Sequence, residues 1–425
     1  YIHICFQMSP NNLSSAGSSH GLKLFYGFFV LGVILVMYKS QDLMFVRYLP
    51  ESVIYLYGMI VSLAYLFANN HLVRNISNIQ FLCICLILFI YAYDVLLVNR
   101  LSFLGCIISL CAIVCGSTVL ILPDSVKRRI LDLFVKITSI LVLISLIGWI
   151  LFLVGVPLPH YTNTSHPYYI HTIYYLFNLN GYPEMQFIPR FAGMFLEPGH
   201  LGTMCIFLLY INRFNLHRFL NIVLLAGVLL SFSLAAYGLL IGALIIYLYQ
   251  IGKKFWLLLS VLVFIAVGIA SAMINNGDNP LYQLIYQRLE MNDDGEIAGN
   301  NRTSKVFDSV YDKYLDSDRI WLGYGRDSLG SAEDGSTSIT IGCATYKRYF
   351  FLRGIIGSFL VILLLMAYWY KYRSVRGTGF VIVYLVANMI RDYPMEPIWL
   401  YLYILSLPVL KKNHNYGLSS SVSRS

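Results

Sequence analysis

Charge is what this chain has least of. Only 12% of its 425 residues are Asp, Glu, Lys or Arg, against 58% hydrophobic, about half the charged share of a soluble globular domain. A soluble enzyme does not fit that balance. Gly (31) and Pro (13) are ordinary in number, which excludes collagen-like and disordered classes. There is no paired CxxC motif, no Gly-rich nucleotide loop and no DxD pair placed at a membrane surface. Asp293-Asp294 lacks the spacing of an EF-hand loop, so no metal and no cofactor is expected. No internal repeat is present, and low complexity is confined to the Ser-rich tail Ser419 to Ser425.

What remains is an all-α polytopic membrane protein. Apolar runs long enough to cross about 30 Å of hydrocarbon fall at 22–38, 49–68, 79–98, 101–122, 133–156, 191–211, 254–274 and 349–370. The stretch Leu22 to Tyr38 lacks a small-residue cleavage pattern after it, so it reads as a first span and not a signal peptide. Arg218 to Gln250 is too long for one helix and is expected to turn back at Ser231-Phe-Ser233. Gly377 to Leu410 is interrupted in the same way by Arg391-Asp-Tyr-Pro-Met-Glu396. About twelve transmembrane helices result. Six of the eight cysteines lie inside these runs and are expected to be small packing residues.

The net charge of +9 is therefore a topology signal and not a nucleic-acid footprint. Lys127-Arg-Arg129, Arg213 with Arg218, Lys253-Lys254, Lys371 with Arg373 and Arg376, and Lys411-Lys412 are separated by even numbers of spans. All belong on the cytoplasmic side, with Arg74 and both termini. Lys39 and Arg47 then fall outside, against the rule.

The division of the chain follows. Residues 1–21 form a tail, 22–156 the N-terminal spans, 157–190 an outer loop rich in Tyr, His and Pro, and 191–274 the central spans. Residues 275–348 form a second outer loop, 349–410 the last spans, and 411–425 a cytoplasmic tail. The 74-residue loop carries 12 of the 21 acidic residues and 8 basic ones. A loop this long is functional or disordered. Val306, Phe307, Val310, Tyr311, Tyr314 and Leu315 recur at helical spacing, so a helix is expected there, folded back on the membrane domain.

Candidate chemistry concentrates in Pro189-Arg-Phe-Ala-Gly-Met-Phe-Leu-Glu-Pro-Gly-His-Leu-Gly202. On a helix, Arg190, Gly193 and Glu197 would share one face, with His200 a turn deeper. Pro198 removes a donor and disfavours helix at Glu197, so a break is expected at the carboxylate. Broken helices at membrane depth normally line a cavity, and a charge at the bilayer centre costs about 2.5 to 3.5 kcal/mol. The plainer alternative is an Arg190–Glu197 ion pair that only holds helices together. In the large loop, Arg302 opens the expected helix and would add its charge to free N–H groups as an anion site. Arg319 and Arg326 bracket Ile-Trp-Leu-Gly-Tyr-Gly325 and offer planar forks suited to phosphate.

Elsewhere the plain readings are preferred. Asp94, deep in the third span, is expected to pair with a neighbouring helix. His160, His166 and His171 do not share one helical face, and metal binding there is not favoured. Tyr168, Tyr169, Tyr174 and Tyr175 read as an interfacial belt. Arg391, Asp392 and Glu396 are either a further site element or a solvated hairpin turn, and the turn is preferred.

The element RFAGMFLEPGHLG resembles the R-x-x-G-x-F-x-E-P segment of the Wzy-type O-antigen and capsule repeat-unit polymerases, relatives of the O-antigen ligases. NRTSKVFDSVYDKYLDSDRIWLGYG resembles part of their large outer loop, and RGIIGSFLVILL the G-x-x-G that starts the next span. Where that family often has Ser-Arg, this chain has Ser233-Leu-Ala-Ala-Tyr237, and the ligase histidine is missing before Tyr346. The resemblance implies a glycosyltransferase of the bacterial inner membrane that uses a polyprenyl-diphosphate-linked oligosaccharide, with membrane lipid and a chain-length regulator as partners and no nucleic acid. Arg190 and Arg302, supported by Arg319 and Arg326, would meet the diphosphate, and Glu197 or His200 would accept the hydroxyl proton. A ligase, and from another class a lipid-linked oligosaccharide flippase, are the alternatives.

The topology makes the first testable claim. A cysteine label placed near Asp312 should react from outside the cell, and one near Arg128 only after permeabilisation; the opposite pattern would overturn the sidedness.

Overall fold

The computed structural model describes residues 19–40, 48–98, 102–163, 171–175, 177–180, 189–253, 305–325, 345–391 and 393–412, with scattered positions between 255 and 282. The described residues are mostly helical, in keeping with a membrane-embedded helical protein. Among them, five helices are long and apolar enough to cross a bilayer: α2 (Glu51–Ala68), α3 (Asn78–Tyr93, continued by a π-turn Asp94–Val98), α4 (Phe103–Ile121), α5 (Asp124–Leu153) and α10 (Tyr346–Lys371). The other apolar helices are α1 (Ser19–Lys39, its apolar stretch Phe25–Lys39), α6 (Pro198–Ile211), α7 (Phe219–Leu230), α8 (Leu234–Gln250), α11 (Val375–Ile390) and α12 (Pro397–Lys412). The loop helix α9 spans Lys305–Leu315.

Helix starts follow the side chains available. Ser77 and Gln80 form a reciprocal capping box at α3, and Ser102, Ser233, Thr345 and Ser374 accept from first-turn N–H groups of α4, α8, α10 and α11. Each cap satisfies a donor that hydrocarbon could not. The two expected hairpins form, with α7 and α8 separated by 231–233 and α11 and α12 by 391–396.

Two departures from expectation stand out. The sixth span is not one helix over 191–211: α6 begins only at Pro198, and the residues before it are folded without helix. The chain is also not all helical. In the 157–190 loop, β1 (His160–Asn163), β2 (His171–Tyr174) and β3 (Phe177–Asn180) form an antiparallel sheet in the order β1-β2-β3, with His160 opposite Tyr174 and Tyr174 opposite Phe177. Alternate-residue patterning across three four-residue strands is too short a signal to separate from a polar loop. Tyr174 is buried, stacked on Phe177 at 4.6 Å, and so belongs to this packing and not to an interfacial belt.

The centre of the bundle is made by the two helices that start after breaks. Every residue of α6 except Thr203 is buried, as are residues 397–408 of α12. Helices apolar all round belong inside a larger bundle. Helix α6 packs against α7, α8 and α11, and α12 against α1, α4, α5 and α11. Phe207 of α6 meets Trp399 of α12 at 5.9 Å and Tyr384 of α11 at 5.6 Å.

The basic clusters gather at one end. Lys371 Nζ donates to Ser77 Oγ (3.0 Å), Lys411 Nζ to the Lys371 carbonyl (3.1 Å) and Gln250 Nε2 to the Val375 carbonyl (2.7 Å). Lys127 is fully buried there and donates to the Leu120 carbonyl at 2.8 Å, at the C-terminal end of α4 where a cation is favoured. Tyr372 beside it donates to Asp124 at 2.8 Å.

The opposite end carries the large loop. Phe307, Tyr311 and Tyr314 of α9 bury against Phe351, with Tyr324 stacked on Phe351 at 4.7 Å, as the helical spacing predicts. The loop is then joined to the bundle backbone to backbone. Tyr324 N donates to the Phe351 carbonyl (2.8 Å) and Ile356 N to the Trp321 carbonyl (3.1 Å). Gly354 breaks α10 in its third turn with φ 63° and ψ −168°, a region open essentially to glycine. A Cβ there would lie 2.5 Å from both Gly323 N and the Trp321 carbonyl oxygen. Asp94 pairs with Arg353 across two contacts, 2.7 and 2.9 Å, so the expected neighbouring partner is found. The Tyr93 hydroxyl donates toward the Leu322 and Arg353 carbonyls at 2.7 and 2.8 Å.

This joint should be intolerant of one methyl group. Gly354→Ala is expected to lower stability by at least about 2 kcal/mol, read as thermal unfolding and as faster proteolysis within 305–325. Gly242→Ala on α8, where a Cβ would meet nothing within 4 Å, should be neutral.

Candidate functional site

The segment before α6 is a compact turn, and its own side chains explain why. Phe191, Ala192, Met194 and Phe195 are fully buried, so the main chain must fold to place all of them. Gly193 sits at φ 56°, which permits the reversal. The backbone finds partners on both sides: Phe191 N donates to the Leu230 carbonyl at 3.0 Å and Phe195 N to the Ala192 carbonyl at 3.0 Å. Asn178 of β3 is the clasp. Its backbone N donates to the Gly193 carbonyl at 2.8 Å, and its side-chain Nδ2 to the Met194 and Phe195 carbonyls at 3.1 Å each.

Glu197 is the residue preceding α6, extended at φ −131°, ψ 144°, with Pro198 as the first helical residue. Proline forces that conformation on its predecessor and suits the first helical position. The break expected at the carboxylate is therefore present. The shared helical face of Arg190, Gly193 and Glu197 is not, because residues 190–197 are not helical.

The partner of Glu197 comes from the far end of the sequence. Arg391 Nη1 lies 2.5 Å from Glu197 Oε2 and 2.8 Å from His200 Nε2. Arg391 is buried, which corrects the expectation of a solvated turn at 391–396; Asp392 lies outside the described residues. Solvation fails because the 391–396 break is at the head of α12, whose residues 397–408 are all buried at the centre of the bundle. Glycine makes the crossing possible: a Cβ on Gly199 would collide with Arg391 Nη2 and stand 3.3 Å from Ser233 Oγ. His200 is 6% exposed and sits edge-on to Tyr393 at 5.5 Å. A guanidinium only donates, so His200 Nε2 accepts and the ring is held as the neutral tautomer with its proton on Nδ1.

Arg190 reaches a different break. Its Nε donates to the Ser231 carbonyl at 3.2 Å. Glu197 thus pairs with Arg391 where the plain alternative expected Arg190, and Arg190 bonds the 231–233 break. Three interruptions, at 189–197, 231–233 and 391–396, meet here. The loop joint is close by at the same end: Tyr91, two residues before Tyr93 on α3, donates to the Met395 carbonyl at 3.2 Å.

Of the loop arginines, Arg319 is exposed on a single 3-10 turn, with its guanidinium 5.9 Å from the Tyr324 ring. Arg302 and Arg326 lie outside the described residues, as do His166, Tyr168 and Tyr169. The structure therefore brings together Glu197, His200 and Arg190, and adds Arg391, which the sequence reading set aside in favour of a turn, and Asn178, which it did not single out. A signal for Arg391 existed. The order Arg190…Glu197-Pro198 recurs as Arg391…Glu396-Pro397, each at the start of a central helix.

Asn178 generates the next prediction. Asn178→Ala strands two buried carbonyls and should cost about 1 to 3 kcal/mol in thermal unfolding. Asn178→Asp, which replaces donors by acceptors facing those carbonyls, should cost more, and equal stability of the two variants would dismiss the clasp. Compared with family models, with curated proteins and with solved structures, this chain finds no match.

Proposed function

We propose that this chain is a membrane glycosyltransferase that polymerises polyprenyl-diphosphate-linked oligosaccharide repeat units into O-antigen, capsule or exopolysaccharide in a bacterial inner membrane. One observation carries the reading: a carboxylate and a neutral imidazole share one buried guanidinium where three helix breaks meet, beside a folded loop anchored to the same end of the bundle. A bundle held together only by packing would place apolar residues there, because an ionisable group at membrane depth is costly and marks function by default.

The chemistry assigned to these residues is a single displacement. An acceptor sugar hydroxyl attacks the anomeric carbon of the donor, the new C–O bond forms, and the bond to diphosphate breaks with its electron pair leaving on the phosphate oxygen. Glu197 or His200 takes the hydroxyl proton. Arg190 and the loop residues Arg302, Arg319 and Arg326 meet the charge that develops on the leaving diphosphate. The folded loop favours a transferase over a flippase, since residues 321–324, which follow α9, are joined to α10 by backbone hydrogen bonds. Lipid and a chain-length regulator complete the set of partners.

The test is the glycan made by a strain in which the gene is replaced by variants. Loss of the gene should leave surface glycan of one repeat unit; absence of attached glycan would indicate a ligase, and lipid-linked units trapped inside a flippase. Glu197→Gln should insert normally and leave single-repeat glycan, the loss of proton transfer costing on the order of 10² to 10⁴ in rate, with His200→Ala milder. Long polymer from Glu197→Gln together with failure of His200→Ala would move the base to His200.

A further inference from the structure

Resting on that reading of the site, we propose that Arg391 is a positioning residue that exchanges partners, holding Glu197 and His200 in the structure and turning its fork to a phosphate of the incoming donor, which frees both proton acceptors together.

The geometry sets up the exchange. One nitrogen, Arg391 Nη1, serves both acceptors, at 2.5 Å from Glu197 Oε2 and 2.8 Å from His200 Nε2. While it stays, the Nε2 lone pair and the facing carboxylate oxygen are both engaged, and neither can take a proton on that side. The two members of the ion pair are not equally enclosed. The Arg391 side chain is 10% exposed and that of Glu197 26%. Arg391 also packs against Gly199, where a Cβ would collide with its Nη2, so the carboxylate is the partner on the open side. An anion that enters meets Glu197 first, and the arginine behind it is the residue that keeps its place.

The same geometry favours phosphate as the competitor. A guanidinium fork binds two oxygens of a phosphate in parallel, and a diphosphate brings two negative charges against the single charge of one carboxylate. Arg391 also lies over the first turn of α6, where the helix dipole opposes a cation and welcomes an anion. Arrival of the donor therefore removes the group that masks the base, so proton transfer waits on a correctly seated diphosphate.

Titration of inorganic pyrophosphate into the purified full chain in lipid nanodiscs, followed by calorimetry, separates partner exchange from a fixed structural tie. Glu197→Gln removes the competitor and should tighten pyrophosphate binding about 10-fold, Arg391→Ala should weaken it by about as much or more, and Arg391→Lys, a point charge without the fork, should fall between wild type and Ala. Unchanged or weaker binding in Glu197→Gln, or wild-type binding in Arg391→Ala, overturns the exchange; if Arg391→Ala fails to fold, Glu197→Gln and Arg391→Lys decide it. The glycan assay keeps this apart from the polymerase reading. The expected order of pyrophosphate affinities in a chain whose loss leaves glycan length unchanged keeps the exchange and sinks the polymerase reading; single-repeat glycan on loss of the chain without that order does the reverse.

Discussion

A main-chain N–H or carbonyl surrounded by hydrocarbon has no water to bond, so a membrane helix can break only where other chain supplies the partners. The breaks of this bundle satisfy that by serving one another. Phe191 donates to Leu230 and Arg190 to Ser231. Asn178 holds Met194 and Phe195, while Tyr384 and Tyr91 donate to the Pro394 and Met395 carbonyls. Ser40, at the end of α1, accepts from Ile398 N at the head of α12. Broken helices therefore collect at one place, and the polar side chains collect with them.

Charge follows the same logic. Removing one partner of a buried ion pair costs about 3 to 5 kcal/mol, because the other is left uncompensated. Several charged groups drawn into this bundle have a specific answer: Glu197 with Arg391, Asp94 with Arg353, and Lys127 with a helix-end carbonyl. The first differs from the others in having a histidine on the same guanidinium and a carboxylate more exposed than its arginine. Those differences are what make it a candidate for chemistry while the Asp94–Arg353 pair acts as an anchor for the loop.

The loop shows how a polar segment becomes part of a membrane domain without a large interface of its own. Helix α9 contributes three aromatic side chains to one small cluster. Glycines do the rest. Gly323 (φ 77°), Gly325 (φ 53°) and Gly354 bring backbone against backbone where any side chain would collide with a neighbouring carbonyl or amide. Tyr93 bonds that joint and Tyr91, two residues earlier on α3, bonds the 391–396 break, so the loop and the candidate site hang from the same helix end.

Hydrophobic run length and the spacing of Lys and Arg were legible because both are one-dimensional. They marked the helical class, the gathering of basic clusters at one end, the two hairpins at Ser231–Ser233 and 391–396, the break at Glu197-Pro198, and the aromatic face of α9. Tertiary structure alone decided who meets whom. Arg391 stands 194 positions after Glu197, and no local pattern tells a buried arginine from a solvated one in a short polar turn; only the enclosure of α12 does. The sheet that carries Asn178, and with it the shape of residues 190–197, was likewise hidden, because strands of four residues owe their stability to the surface they land on and not to their own pattern.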